Sequence, residues 1–269
     1  MNILVAVSFF YLGAIFGSYS IATIWRINQA TKKTKLKLPS RSICENCGHI
    51  LSVVDLIPII NYFMLKGRCR YCGVKIVPLS FYVEIGLGLY FYLVYILWPY
   101  GRDVFGYLYL ILWLMISVGF TILAIYDFKW RILPTNVIYF TYIFVFVGLL
   151  IYIAKTHNFS VIFSHFIGLL LGGGIFYLLY HISSGSWIGG GDVRLGFLLG
   201  AIVGGPLNTI ILMFISSVSA LVFMYPYMLF KKMSKKSQIP FGPFLILGCI
   251  IVFIMGNSIK NYLLSKNIL

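Results

Sequence analysis

Apolar runs of about twenty residues recur along almost the whole chain, and no soluble fold can bury so many of them. Read as helical spans they fall at roughly 2–25, 79–98, 106–126, 135–154, 161–182, 195–206, 207–230 and 243–263. The sixth is short, and Gly204, Gly205 and Pro206 make a tight reversal after it. With 61% hydrophobic residues among 269, the composition agrees. The expected fold class is an all-α polytopic membrane protein with about eight transmembrane helices, in contact with the lipid bilayer.

A net charge of +15 invites a nucleic-acid reading, which the placement of the charge excludes. Alternating the eight spans gives two sets of loops. The set 26–78, 127–134, 183–194 and 231–242 holds 17 of the 21 Lys and Arg residues. The other set, with the C-terminal tail, holds only Arg102, Lys155, Lys260 and Lys266. Such asymmetry marks the first set as cytoplasmic and both termini as outside. It points to the cell's cytoplasmic membrane and to no nucleic-acid partner. The first apolar run lacks a basic residue before Arg26, the reverse of a secretory signal, so it reads as a retained helix.

Carboxylates are scarce: Glu45, Asp55, Glu84, Asp103, Asp127 and Asp192 are the six acids. A carboxylate beside an apolar span costs about 2.5–3.5 kcal/mol on insertion scales and marks a functional position. Asp127 ends the third span in Tyr126-Asp127-Phe128-Lys129, ahead of Leu133-Pro134. Asp192 follows Gly189-Gly190-Gly191, glycines that permit close backbone approach by an extended substrate strand. The loop partition puts both aspartates at the cytoplasmic rim, where they can meet. Two neighbouring carboxylates in a half-dry site share one proton, and together they can polarise a water. HExxH and GxSxG are absent. Taken singly, Asp127 could pair with Lys129 or Arg131, and Asp192 could cap a helix.

Residues 26–78 form the one sizeable soluble segment. It opens on Lys32, Lys33, Lys35 and Lys37, a run suited to anionic headgroups. Cys44-Glu45-Asn46-Cys47-Gly48 and Cys69-Arg70-Tyr71-Cys72-Gly73 then give two CxxC pairs with 21 residues between them. That is close to zinc-ribbon spacing, and four thiolates complete a tetrahedron. A reducing cytoplasm disfavours disulfides. The expectation is a closed structural zinc site on Cys44, Cys47, Cys69 and Cys72. His49 reads as a surface residue and Cys249 as an ordinary buried thiol.

These landmarks resemble, in order and over nearly the whole chain, the bacterial type IV prepilin peptidases, the GxGD class of aspartic proteases. Phe16-Gly17-Ser18, Pro39-Ser40-Arg41-Ser42, Asp55-Leu56-Ile57-Pro58, Leu65-Lys66-Gly67-Arg68-Cys69, Asp127 with Leu133-Pro134, Gly189-Gly190-Gly191-Asp192 and Pro240-Phe241-Gly242-Pro243 carry the likeness. It is similar above all to Gram-positive members that process competence pseudopilins. The resemblance implies that Asp127 and Asp192 are the catalytic pair and that the three glycines position the substrate backbone. The implied substrate is a type IV prepilin or pseudopilin, its leader cut after a glycine at the cytoplasmic membrane face. The implied organisation is a first helix at 1–25, a zinc-knuckle insertion at 26–78 and a membrane protease domain at 79–269.

Bifunctional relatives also methylate the new N-terminus with S-adenosylmethionine. Here Ile21 stands three residues after the FGS motif, where many members carry Asn, which leaves that activity open. Glu84 resembles a family glutamate, and reads equally as a residue at the membrane rim. The competing class is a proton-coupled transporter using the aspartates as a relay. Such proteins place their acids near the midplane and show repeated halves, and no internal repeat is visible here.

Overall fold

The computed structural model describes residues 3–31, 41–230 and 240–265, with side chains to residue 228 in the second segment and 255 in the last. The lysine run 32–37, Pro39-Ser40 and Lys231 to Lys236 lie outside the described residues. The helices are α1 Ile3–Thr31, α2 Ile60–Met64, α3 Leu79–Leu97, α4 Val104–Trp130, α5 Thr135–Thr156, α6 Ser160–Ile182, α7 Gly190–Val203, α8 Pro206–Phe230 and α9 Gly242–Ser265. Every expected span is matched by a helix.

Six of these helices, α1, α3, α4, α5, α6 and α8, are long and apolar enough to cross a membrane. The count of eight spans therefore needs correcting. Helix α7 has 14 residues, about 21 Å, short of the ~30 Å hydrocarbon. Helix α9 has 24 residues, with side chains described over Gly242–Met255. Boundaries shift too. Helix α1 runs on to Thr31, whose hydroxyl bonds back to the Ile27 carbonyl at 2.6 Å, because nothing in Arg26–Thr31 breaks it.

The chain divides into two compact units, Met1–Arg102 and Asp103–Leu269. In the first, α1 packs closely on α3 through small residues. A methyl group on Gly17 would sit 2.8 Å from the Glu84 Cα, and one on Gly13 2.8 Å from the Gly88 Cα. Helices lying in lipid gain from such close backbone approach, since lipid is as apolar as their side chains. Phe91 and Ala14 are fully enclosed at this seam.

In the second unit α4 supplies the core: Trp113, Phe120 and Leu123 are buried, and Trp113 stacks on Phe253 of α9 at 3.6 Å. From Leu195 onward helix α7 is apolar and largely buried, with Leu195, Leu198 and Leu199 fully enclosed. Its neighbour α6 meets it glycine to glycine. A methyl on Gly172 would fall 2.5 Å from the Gly196 carbonyl oxygen, and Gly200 faces Gly168 in the same way. Two small-xxx-small ladders thus hold α7 against α6.

The early end of α7 leaves carbonyls that hydrocarbon cannot satisfy, so side chains do it. His165 Nδ1 pairs with the Ala201 carbonyl at 2.6 Å, and Asn208 donates to the Val203 carbonyl at 3.0 Å. Gly204 and Gly205, both at positive φ, make the reversal into α8. The Gly205 N–H donates to the Ser164 carbonyl at 2.7 Å.

Candidate active site and metal site

Asp127 lies within the last turn of α4, one turn further into the helix than its sequence context indicates. The helix continues to Trp130 and stops at Arg131, which takes the left-handed conformation and donates its N–H to the Asp127 carbonyl at 2.7 Å. The Asp127 side chain is 5% exposed. Its Oδ2 accepts the backbone N–H of Gly242 at 2.9 Å. Gly242 is the first residue of α9, where helix N–H groups lack internal partners and the macrodipole favours a negative charge.

Asp192 belongs to the first turn of α7 rather than to the preceding loop. Gly189 is the N-cap. Its N–H donates to Asp192 Oδ2 at 3.3 Å, while the Asp192 N–H returns a bond to the Gly189 carbonyl at 3.0 Å. The helix begins early because this reciprocal cap closes it. The capping reading of Asp192 is thus part of the structure, and it leaves the second carboxylate oxygen free of that bond.

The turn between α4 and α5 packs against the start of α7, the helix that bears Asp192. Leu133, buried, packs on Gly191, where a methyl would stand 3.1 Å from the Leu133 Cβ. Arg194, two residues past Asp192, donates from Nη1 to the Thr135 hydroxyl at 2.5 Å and ties α7 to the start of α5. The ends of α4, α7 and α9 therefore meet, and the charge of Asp127 acts on Asp192. Asp103 sits at the opposite end of α4, capping its first turn through Gly106 N–H at 3.0 Å and pairing with Lys155 at 3.0 Å. The rise of 24 helical residues, about 36 Å, separates it from Asp127.

Among the three glycines, Gly191 faces Leu133, Gly189 caps α7, and Gly190 has only Tyr180 nearby, at 3.9 Å. Gly242 is the group the sequence left without a role. Pro240-Phe241-Gly242-Pro243 signals a helix start, but nothing in it tells which carboxylate, 115 positions away, receives the N–H.

The four knuckle cysteines come together in the first unit. Cys44, Cys47, Cys69 and Cys72 present sulfurs all within 4.8 Å of one another, and Cys44 and Cys72 are 3.8 Å apart. A tetrahedral zinc with Zn–S near 2.3 Å sets its sulfurs about 3.8 Å apart, so the donors suit that ion; a disulfide needs about 2.05 Å. The two knuckles repeat one design. Gly48 N–H donates to the Cys44 carbonyl and Gly73 N–H to the Cys69 carbonyl, both at 2.9 Å. Cys44 N–H reaches His49, and Cys69 N–H reaches Val74. Gly48 and Gly73 have φ of 71° and 69°, which glycine adopts freely.

The knuckles are tied to each other. His49 stacks on Tyr71 at 3.7 Å, and the Tyr71 hydroxyl donates to Asp55 Oδ2 at 3.0 Å. Asp55 also accepts from the Ser52 hydroxyl at 2.7 Å and pairs with Arg70 at 3.0 Å. The Ser52 hydroxyl, with Tyr71 and Arg70, holds the Asp55 carboxyl below the usual carboxylate range. The Val74 N–H, followed by Asn46, draws the Cys72 thiol down to about 7, toward the thiolate a metal requires. His49 lies outside the sulfur cluster.

Glu84 is buried in α3, where its Oε2 accepts the Ile59 N–H at 2.8 Å. Ile59 has φ 64° and ψ −56°, and the Ile60 N–H bonds back to the Pro58 carbonyl at 2.6 Å, a γ-turn at positive φ. A β-branched residue there is strained, and the bond to Glu84 offsets the cost.

Comparison with known proteins identifies the family. The family model for the bacterial peptidase A24 N-terminal domain matches residues 11–98, and that for the type IV leader peptidase family matches residues 108–225. A prepilin leader peptidase/N-methyltransferase of Vibrio cholerae is 28% identical over 94% of this chain and 98% of its own length. A type 4 prepilin-like proteins leader peptide-processing enzyme of Escherichia coli is 30% identical, covering 88% of both chains. A prepilin leader peptidase/N-methyltransferase of Bacillus subtilis is 25% identical over 82% of this chain and 84% of its own. No solved structure matches. With both family models in chain order and the E. coli relative aligned over most of its length, the chain belongs to the type IV leader peptidase family.

Proposed function

We propose that this chain is a membrane-embedded aspartic endopeptidase. It removes the leader of a type IV prepilin or pseudopilin, after a glycine, at the cytoplasmic membrane face. The observation that carries the reading is the packing of the turn after Asp127 on the start of α7, through Leu133 on Gly191 and Arg194 on Thr135, which puts the end of α4 beside the helix that bears Asp192. Family membership supports prepilin processing and sets the transporter alternative aside.

In the proposed reaction one carboxylate is ionised and the other protonated. The ionised acid takes a proton from a water held between them, and the oxygen attacks the scissile carbonyl. The protonated acid donates to the carbonyl oxygen. Collapse of the tetrahedral intermediate then protonates the leaving amine and restores the pair. We assign the ionised role to Asp127, because the Gly242 N–H at a helix start stabilises its charge. A substrate anchored by its own apolar helix arrives by lateral diffusion with its scissile bond near the aspartates' depth. Positioning of that kind supplies part of the rate.

Zinc on Cys44, Cys47, Cys69 and Cys72 would close the insertion as a rigid body. With four protein ligands it has no open position and no part in the hydrolysis. The proposal includes methylation of the new N-terminus with S-adenosylmethionine, a second activity carried in the names of the Vibrio and Bacillus relatives.

The test is a reconstituted reaction with a candidate prepilin, with and without S-adenosylmethionine, read by mass spectrometry. Cleavage after the leader glycine that disappears in Asp127→Asn and in Asp192→Asn supports the reading. Full cleavage by either variant ends it.

A further inference from the structure

The insertion in the first unit carries an apolar face that the fold leaves uncovered. Val53 is 83% exposed, Met64 69% and Phe63 66%, with Val54, Ile60 and Val77 also exposed. In a soluble domain, so many large apolar side chains on one short stretch mark an interaction surface. The question is what covers it.

The depth of this face is fixed by contacts within the unit. Tyr62 stacks on Phe81 at 4.7 Å, and Phe63 meets the same ring edge-on at 5.2 Å. Phe81 belongs to the first turn of α3, a helix long and apolar enough to span. One turn further on, Glu84 holds the Ile59 N–H that precedes α2. The short helix is therefore pinned twice to the end of a spanning helix, at the level where hydrocarbon gives way to headgroups. The exposed face continues along the outward side chains of α3, Tyr82, Leu89 and Leu93. The charge around it suits an anionic surface. Lys66, Arg68 and Lys75 are exposed, and the pairing of Arg70 with Asp55 neutralises that acid.

We propose that the segment Val53–Met64, with Val77, lies in the membrane interface. Its apolar side chains enter the boundary between headgroups and acyl chains, and the neighbouring cations face anionic lipid. Short apolar elements flanked by Lys and Arg bind membranes this way, entering by ~5–10 Å. The lipid contact would orient the knuckle against the bilayer. This inference rests on the spanning character of α3 and not on the peptidase reading.

The full chain, with p-benzoylphenylalanine in place of Phe63, is reconstituted in vesicles of phosphatidylethanolamine and phosphatidylglycerol and irradiated. Its adducts are identified by mass spectrometry. Lipid adducts at position 63, reduced at least tenfold when Val53→Glu, Val54→Glu and Met64→Glu are added, are expected. Adducts to a second copy of the chain or to added prepilin, in place of lipid, would overturn the proposal, and so would the absence of any lipid adduct. Zinc content measured on the same preparations shows that the insertion remains folded. Cleavage assays run in parallel separate a failure here from a failure of the peptidase assignment.

Discussion

Asp127 and Gly242 are joined by a hydrogen bond across 115 residues of chain, from the backbone N–H that opens α9 to a carboxylate near the end of α4. No side chain fits between them: a methyl on Gly242 would stand 2.8 Å from Asp127 Oδ2. One buried acid thereby has its direction set by main chain.

Gly242→Ala should displace that carboxylate while leaving the helices in place. A misplacement near 1 Å can cost about a hundredfold in rate, so cleavage is expected to fall by roughly that factor. An unchanged rate would remove Gly242 from any positioning role.

Asp127→Asn and Asp192→Asn should each reduce cleavage of a co-expressed prepilin by roughly 10²–10⁴, the usual worth of general acid–base catalysis. Asp103→Asn, at the far end of α4, should leave cleavage intact. Immunoblots that resolve leader-bearing from mature pilin give all three results together. Equal losses in all three would point to a fold defect rather than chemistry.

The α6–α7 seam gives a stability prediction. Gly172→Leu places a side chain where a methyl would already touch the Gly196 carbonyl. Overpacking of this kind costs about 1–3 kcal/mol, and it moves the helix that bears Asp192. A lower thermal midpoint in detergent together with lost cleavage is expected. Gly174→Ala, in open space on the same helix, should change neither.

Purified protein should contain one zinc per chain, lost in Cys44→Ser or Cys72→Ser, as read by elemental analysis. Acid should release the metal, because protons compete for the thiolates. The four sulfurs then lose their common ligand, and protease should cut within residues 41–78. A protein with no zinc and an intact insertion would contradict the metal assignment.

Asp55 supplies a pH test with a definite sign. Its folded value lies below the ordinary carboxylate value, so the ionised form is favoured by folding. The stabilisation is complete above the unfolded value, near 3.9, and vanishes as pH falls through the lowered folded value. The Ser52 hydroxyl is the main cause, so Ser52→Ala should raise the Asp55 titration midpoint more than Arg70→Ala does. Carboxyl-carbon NMR on selectively labelled protein reads both. The reverse order would assign the effect to the ion pair.

Much of this architecture was legible before any coordinates. Eight apolar runs became eight helices, because hydrocarbon leaves a backbone of that length no other way to satisfy its hydrogen bonds. The paired CxxC turns were equally legible, since two sulfurs separated by two residues and followed by glycine form a local structure. Tertiary packing decided the rest. That α7 stops after 14 residues depends on His165 and Asn208, from other helices, accepting its early end. That Asp127 faces the start of α9, and that Ile59 holds a strained turn against Glu84, are contacts between residues distant in the chain. Composition and periodicity report what each segment needs from its solvent. Which ends meet is set by packing between segments, a relation that one-dimensional order does not contain.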